Sequence, residues 1–200
     1  PYTTLFRSYS YISFNFGPTL LSWMEKFSPN SYQRIIQADI DSIALNNGHG
    51  NAIAQVYNHM IMPLANERDK QTQVKWGIKD FEYRYGRKPE GMWLAETAID
   101  DDTLRVLVEN GIKFTILSPY QAQSIRKEGE NSWQDVSWGN IDPARSYRYY
   151  IKSAPGKFID LFFYDGAISR SVAFDELLKD GNKFVNRLKD GVSKDRNYPQ

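Results

Sequence analysis

The sequence predicts a mixed α/β fold built from parallel βαβ units, and three observations carry that expectation. Helix-period segments alternate with short apolar runs through the middle of the chain, the pattern of strands joined by crossover helices. The run Gly91-Met-Trp-Leu-Ala-Glu96 brings one carboxylate to the end of an apolar strand. It follows a turn at Gly86, Arg87, Lys88 and Pro89 and precedes an acidic helix start at Asp100, Asp101 and Asp102. In parallel α/β barrels the C-terminal strand end is where the chemistry sits.

The elements follow in order. Tyr9, Tyr11 and the alternating Ile12 to Phe16 read as a strand ended by Gly17-Pro18. Leu20, Leu21, Met24 and Phe27 recur at helical spacing. Ser28-Pro29 reads as an N-cap with proline at the first helical position. The next helix carries Tyr32, Ile35, Ile36, Ile40 and Ile43 on one side and stops at Asn46-Asn47-Gly48. Ala52 to Tyr57 reads as a buried strand or a helical piece. Val74, Ile78, Phe81 and Tyr85 mark an amphipathic helix ending at Gly86. Gly91 to Leu94 is a strand, Leu104 to Val108 a short helix ended by Asn110-Gly111, and Ile112 to Leu117 a further strand. Residues 120–150 are polar and without clear period. Tyr147 to Ile151 and Phe158 to Tyr164 read as a hairpin. A last helix is expected from about Ser171 to Leu188, with a break at Asp180-Gly181.

Composition excludes several classes. Twenty-five Lys and Arg against 24 Asp and Glu give a formal net charge of +1, with no basic stripe for nucleic acid and no cationic amphipathic stretch for a membrane surface. The absence of cysteine removes disulfides and thiolate metal sites. No apolar run approaches the roughly 20 residues of a membrane span. A cytoplasmic location is the expectation, and the oligomeric state is open. Residues 1–8 read as the translation of a common sequencing adapter, so the native sequence is expected to begin near Tyr9. Residues 9–200 are expected to be one partial catalytic domain, and Arg196 to Gln200 reads as a loop where a next strand would come.

Glu96 reads either as a nucleophile or acid/base in a pocket, or as a surface glutamate beyond a strand. His59 reads as a donor to substrate or to that carboxylate, or as a core histidine. His49, in Gly48-His-Gly50, touches substrate or lies in a solvent-facing turn. Strand alternation sets Trp93 and Ala95 opposite Leu94 and Glu96. Trp93 is therefore expected to pack away from the pocket, with sugar stacking as the lesser alternative. Trp133, Trp138, Tyr120 and Tyr149 either line an extended glucan or cover the core.

Gly86-Arg-Lys-Pro-Glu-Gly-Met-Trp-Leu-Ala-Glu96 resembles the nucleophile region of glycoside hydrolase family 57, whose pattern is G-x-x-P-x-G-x-W-L-P-E. Phe14 to Glu25, Tyr57 to Leu64, Gly111 to Leu117 and Leu161 to Ser169 resemble further segments of that family in the same order. The resemblance implies an incomplete, distorted parallel (β/α)7-type barrel. It implies a retaining glycoside hydrolase or transglycosylase acting on α-glucans, with Glu96 as the catalytic nucleophile and no cofactor or metal. Ala95 stands where the pattern has proline. The family's H-x-H-Q-P and D-G-E-x-x-G-H strings are absent, so the acid/base residue is expected beyond Gln200 and this chain alone is expected to be inactive and marginally stable. Asp165, ending an apolar strand, is expected to contact substrate or tune charge, with an acid role or a plain structural role as alternatives. The competing readings are a polysaccharide deacetylase-like barrel, which needs an Asp and two His for its ion, and a non-catalytic carbohydrate-binding module.

Overall fold

The computed structural model describes residues 8–191. The expectations for residues 1–7 and for Arg196 to Gln200 lie outside them. The chain divides into two compact units, Pro1–Thr115 with Tyr149–Asp160, and Ile116–Arg148 with Leu161–Gln200.

The first unit holds α1 (Pro18–Phe27), α2 (Pro29–Leu45), β1 (Ala54–Gln55), α3 (Glu67–Tyr85), β2 (Met92–Trp93) and α4 (Asp101–Glu109). Phe14 bridges Ala52 in parallel, Ala54 and Gln55 of β1 face Met92 and Trp93 of β2 in parallel, and Gly91 bridges Phe114 in parallel. Successive strand segments therefore lie side by side in chain order, all running the same way and joined by helices. That is the wiring of a (β/α) barrel. β3 (Phe114–Leu117) continues the series and lies in one sheet of order β3-β7-β6 with β6 (Ser146–Tyr150) and β7 (Phe158–Phe163). The sheets do not join into a closed ring, so the fold is the expected α/β class, an incomplete parallel barrel. No helix among the described residues is long and apolar enough to cross a membrane.

The second unit contains the short antiparallel pair β4 (Ser124–Ile125) and β5 (Gln134–Asp135), followed after β7 by α5 (Gly166–Phe174) and α6 (Gly181–Asp190).

Local chemistry fixes the element ends. Asn66 caps α3 by accepting the Asp69 N–H, and Gly86 closes it in the left-handed conformation at φ 67°. Asp100 caps α4 through the Thr103 N–H. Gly77 of α3 is the close-approach point. A Cβ there would lie 2.1 Å from the Gln55 carbonyl oxygen, so only glycine lets the helix sit this near β1. Val74, Met92, Leu94, Ala95, Val106 and Leu107 of this unit are fully buried, each larger side chain contributing about 1.5–3 kcal/mol of burial.

Two buried polar anchors run through this unit. Asp39 of α2 accepts both Arg87 Nε and Nη2 at 2.8 Å and the Ala52 N–H at 2.7 Å, while Arg87 Nη2 also donates to the Ala52 carbonyl. Arg84 is buried against Asp80, Ser22, Glu25 and Tyr32; burial opposes its charge, but Asp80 and Tyr32 raise its pKa. No buried side-chain nitrogen or oxygen among the described residues lacks a partner.

Three expectations are corrected. The strand over 9–16 is only a bridge at Phe14. Tyr11 N–H closes a turn on the Ser8 carbonyl, and the rings of Tyr9, Phe14 and Phe16 cluster at 4.9–5.7 Å, so ring packing overrides the alternation. The buried face of α2 is Tyr32, Ile35, Ala38, Asp39 and Ser42, leaving Ile40 exposed. The last helical region begins at Gly166 instead of near Ser171, and the expected break at Asp180-Gly181 is present, giving two helices. Asp165 caps the first through the Ile168 N–H and Asp180 caps the second through the N–H groups of Asn182 and Lys183, with Glu176 left-handed between them.

Replacing Asp39 with Ala leaves the Arg87 charge and the Ala52 N–H without their partner. We expect a loss of about 3 kcal/mol, the low end for breaking a buried pair, read as a lower midpoint in urea unfolding followed by circular dichroism.

Asp101 gives a second prediction. Burial would raise its pKa. Hydrogen bonds from Ser153 Oγ, the N–H groups of Lys152 and Ser153, and the Tyr149 hydroxyl outweigh that and hold it at about 2, against an ordinary 3.8. A depressed folded pKa contributes stability that is complete above the unfolded value and lost as pH falls through the folded one. The thermal midpoint should therefore drop between about pH 4 and pH 2, and Asp101→Asn should flatten that drop.

Candidate functional site

Chain leaving β1 passes buried Val56, turns at Tyr57 and Asn58, and reaches His59. Chain leaving β2 passes buried Leu94 and Ala95 and enters a single 3-10 turn, Ala95–Thr97. Because β1 and β2 are parallel and in register, both excursions leave from the carboxyl ends of neighbouring strands. His59 Nε2 lies 3.4 Å from Glu96 Oε1, with the two side chains 59 % and 75 % exposed.

The backbone at this point is unusual. His59, Glu96 and Thr97 are left-handed, with φ of 52°, 53° and 54°. Such a conformation costs on the order of 1–3 kcal/mol for each non-glycine residue and persists only where the surroundings impose it. Here the imposed element is the strand end. The Thr97 N–H donates to the Leu94 carbonyl and the Ala98 N–H to the Ala95 carbonyl. The anchored apolar residues cannot leave the core. The left-handed step at Glu96 instead swings its carboxylate out of the strand wall. A separation of 3.4 Å is long for a hydrogen bond, and catalytic contacts of this kind commonly tighten only with substrate in place.

The remaining sequence-read residues are placed as follows. His49 is not part of the cluster. Its Nδ1 lies 2.7 Å from Glu90 Oε2, and Lys113 Nζ lies 2.6 Å from Glu90 Oε1, all before the strands begin. Lys113 first, and His49 after it, hold the Glu90 carboxyl below its usual range. Trp93 is partly buried. A Cβ at Gly77 would lie 3.5 Å from Met92 Cε, so Met92 faces α3 and alternation puts Trp93 on the opposite face of the strand. The alternation rule failed to orient Glu96 because the backbone departs from extended geometry one residue earlier. In the second unit, Asp165 leaves β7 partly buried, with Oδ1 capping α5. Trp138 and Tyr120 are exposed, and Arg126 lies over the Trp133 ring at 4.9 Å. Tyr149 is committed to Asp101 through its hydroxyl. Burial, then Asp101, push its pKa up to about 12.

Sequence reasoning missed Gln73 and Thr97. Gln73 interrupts the buried line of α3 that includes Lys70, Val74, Gly77 and Phe81, and a polar residue on such a line is the signal that was available. No sequence signal marks Thr97 as left-handed. An open groove of about 440 Å³ along α3 is lined by Tyr57, Trp76, Lys79, Asp80 and Tyr83. Glu96 does not line it, so the hollow expected around this carboxylate is not formed there. No group of three or more His, Asp or Glu among the described residues is arranged to hold a metal ion.

The strain gives a prediction. Asn tolerates the left-handed region better than Glu, and Glu96 is exposed, so little packing is lost. Glu96→Asn should raise stability by up to about 1 kcal/mol, measured as a higher melting midpoint.

Comparison with known proteins agrees with this geometry. The model of glycosyl hydrolase family 57 matches residues 7–198. Alpha-amylase 1 of Dictyoglomus thermophilum is 26 % identical over 184 residues, covering 86 % of this chain and 25 % of the relative. The 4-alpha-glucanotransferase of Thermococcus litoralis shares the fold at a TM-score of 0.65 and 17 % identity, covering 96 % of this chain and 27 % of that one. An exo-type maltose-forming amylase of Pyrococcus sp. ST04 does so at 0.66 and 21 %, covering 94 % and 30 %. The chain thus spans between a quarter and a third of the length of these relatives. With nearly the whole of this chain matched by the family model, the chain belongs to glycosyl hydrolase family 57.

Proposed function

We propose that the protein carrying this chain is a retaining glycosidase or transglycosylase of α-glucans, with Glu96 as its nucleophile and His59 as the hydrogen-bonding partner of that carboxylate. The observation that carries the reading is the Glu96 side chain itself. It stands out from a buried strand end in a left-handed turn, 3.4 Å from an imidazole on the neighbouring strand end. Family membership and the names of the amylase and glucanotransferase relatives support the substrate class.

In the first half-reaction one Glu96 oxygen attacks the anomeric carbon while a second carboxyl group protonates the departing glycosidic oxygen. The C–O bond to the leaving sugar breaks and a glycosyl ester forms on Glu96. In the second, water or a sugar hydroxyl attacks the same carbon and gives its proton to the second carboxylate, and the ester bond to Glu96 breaks. Water as acceptor gives hydrolysis and a sugar gives transfer. The second carboxyl must stand about 5–5.5 Å from Glu96 for this stereochemistry. We assign that role to a residue outside this chain.

His59 has a defined part in these steps. Donating from Nε2, it fixes which Glu96 oxygen carries the contact and leaves the other free to attack. A deacetylase-type reading needs both histidines on one ion. His49 and His59 lie at opposite ends of the strands, which speaks against these two residues sharing one ion.

Glu96→Gln in the protein carrying this chain should lower kcat on a maltooligosaccharide on the order of 10⁴-fold. Product followed by proton NMR in the unaltered protein should appear first as the α-anomer. An active Gln variant, a first-formed β-anomer, or binding without turnover in the unaltered protein, as a non-catalytic module would show, contradicts the proposal.

A further inference from the structure

We propose that Gln73 is the positioning residue that holds His59 against Glu96, an inference that rests on the catalytic reading of Glu96 given above. Little in His59 itself fixes its position. Its imidazole is 59 % exposed and its backbone is left-handed at φ 52°, so neither its own packing nor its own backbone preference keeps it in place. The segment that carries it runs from buried Val56 to buried Met62 and has no regular secondary structure until the 3-10 turn Met62–Leu64. A short exposed excursion of this kind needs an external tie.

Gln73 supplies two ties. Its backbone carbonyl accepts the Tyr57 N–H at 3.3 Å, and its side-chain Oε1 accepts the Asn58 N–H at 2.7 Å. Successive N–H groups immediately before His59 are thus held by one residue of α3. That residue is 5 % exposed and lies on the same helix face as Gly77, which seats α3 against β1. The side-chain bond is part-buried on the Gln73 side, and a replacement without an acceptor leaves the Asn58 N–H to find another partner. The link therefore runs from the sheet through Gly77 to α3, through Gln73 to the 57–58 turn, and so to the imbalance-prone left-handed His59 beside Glu96. A shift of about 1 Å in such a contact typically lowers rate by about 10²-fold.

The test uses the protein that carries this chain, a maltooligosaccharide as substrate, and two variants. Gln73→Met keeps the volume and removes the acceptor. Gln73→Glu keeps an oxygen at the same reach. We expect Gln73→Met to lower kcat by about 10- to 100-fold with KM changed less than about threefold, and Gln73→Glu to recover most of the loss. Full kcat in Gln73→Met, or equal losses in both variants with KM rising in step, overturns the proposal. Amide hydrogen exchange of the unaltered protein gives an arm independent of both variants and of activity: the Asn58 amide should be protected well beyond its exposed neighbours, and free exchange there overturns the clamp. Activity in Glu96→Gln would instead overturn the catalytic reading, while the exchange arm would still report on Gln73.

Discussion

Asp39 is fully buried, and its carboxylate meets Arg87 through two hydrogen bonds of 2.8 Å while also holding the Ala52 N–H. Three pieces of chain come together on that one group: helix α2, the entry to β1, and the turn that leads from α3 into β2. A bidentate guanidinium–carboxylate pair has a defined plane as well as a distance, so it sets the height of the two strand entries relative to each other. The Arg87 guanidinium also fills the space beside Gly50, where a Cβ would lie 2.4 Å from it, and lies over the Phe81 ring at 4.9 Å. With the entries fixed, the parallel register Ala54 to Met92 fixes the exits, and the exits carry His59 and Glu96. A slip of one residue would turn every side chain of a strand to the other face and separate the pair.

The site then departs from regular geometry where the strands end. Left-handed residues at 59, 96 and 97 cost free energy that the buried strand residues offset, since Val56, Leu94 and Ala95 have no comparable alternative environment. The sequence departs from the family pattern at Ala95, where proline is usual. Ala95 is fully buried, and the turn after it is still tight. The carboxylate keeps its outward direction because the next residue, not this one, makes the left-handed step.

Much of this was legible before any coordinates. The alternation of periods, the Gly86 stop, the Asp100 cap and the apolar run ending at Glu96 all follow from local rules, and local chemistry determines them in the structure as well. The illegible parts are those where a tertiary contact outweighs a local preference. The alternation over 9–16 gave way to clustered aromatic rings. The direction of Glu96 could not be read by a period-two rule, because its own backbone is left-handed. Asp39 occupies a helix face read as apolar, and only its partner 48 residues away accounts for it. His49 and His59 are both open to a substrate contact in the sequence, but they stand at opposite ends of the same strand, one with Glu90 and one with Glu96. Gln73 shows the same limitation, since its role depends on a turn fifteen residues earlier.

The central claim is that the carboxylate of residue 96 becomes covalently bonded to sugar during turnover. Incubation of the protein carrying this chain with a slow, fluorinated α-glucosyl donor, followed by proteolysis and mass spectrometry, tests it most directly. The account predicts one added glycosyl group on the peptide containing Glu96. A label on a different carboxylate, or turnover of the donor with no labelled peptide at any time, would contradict it.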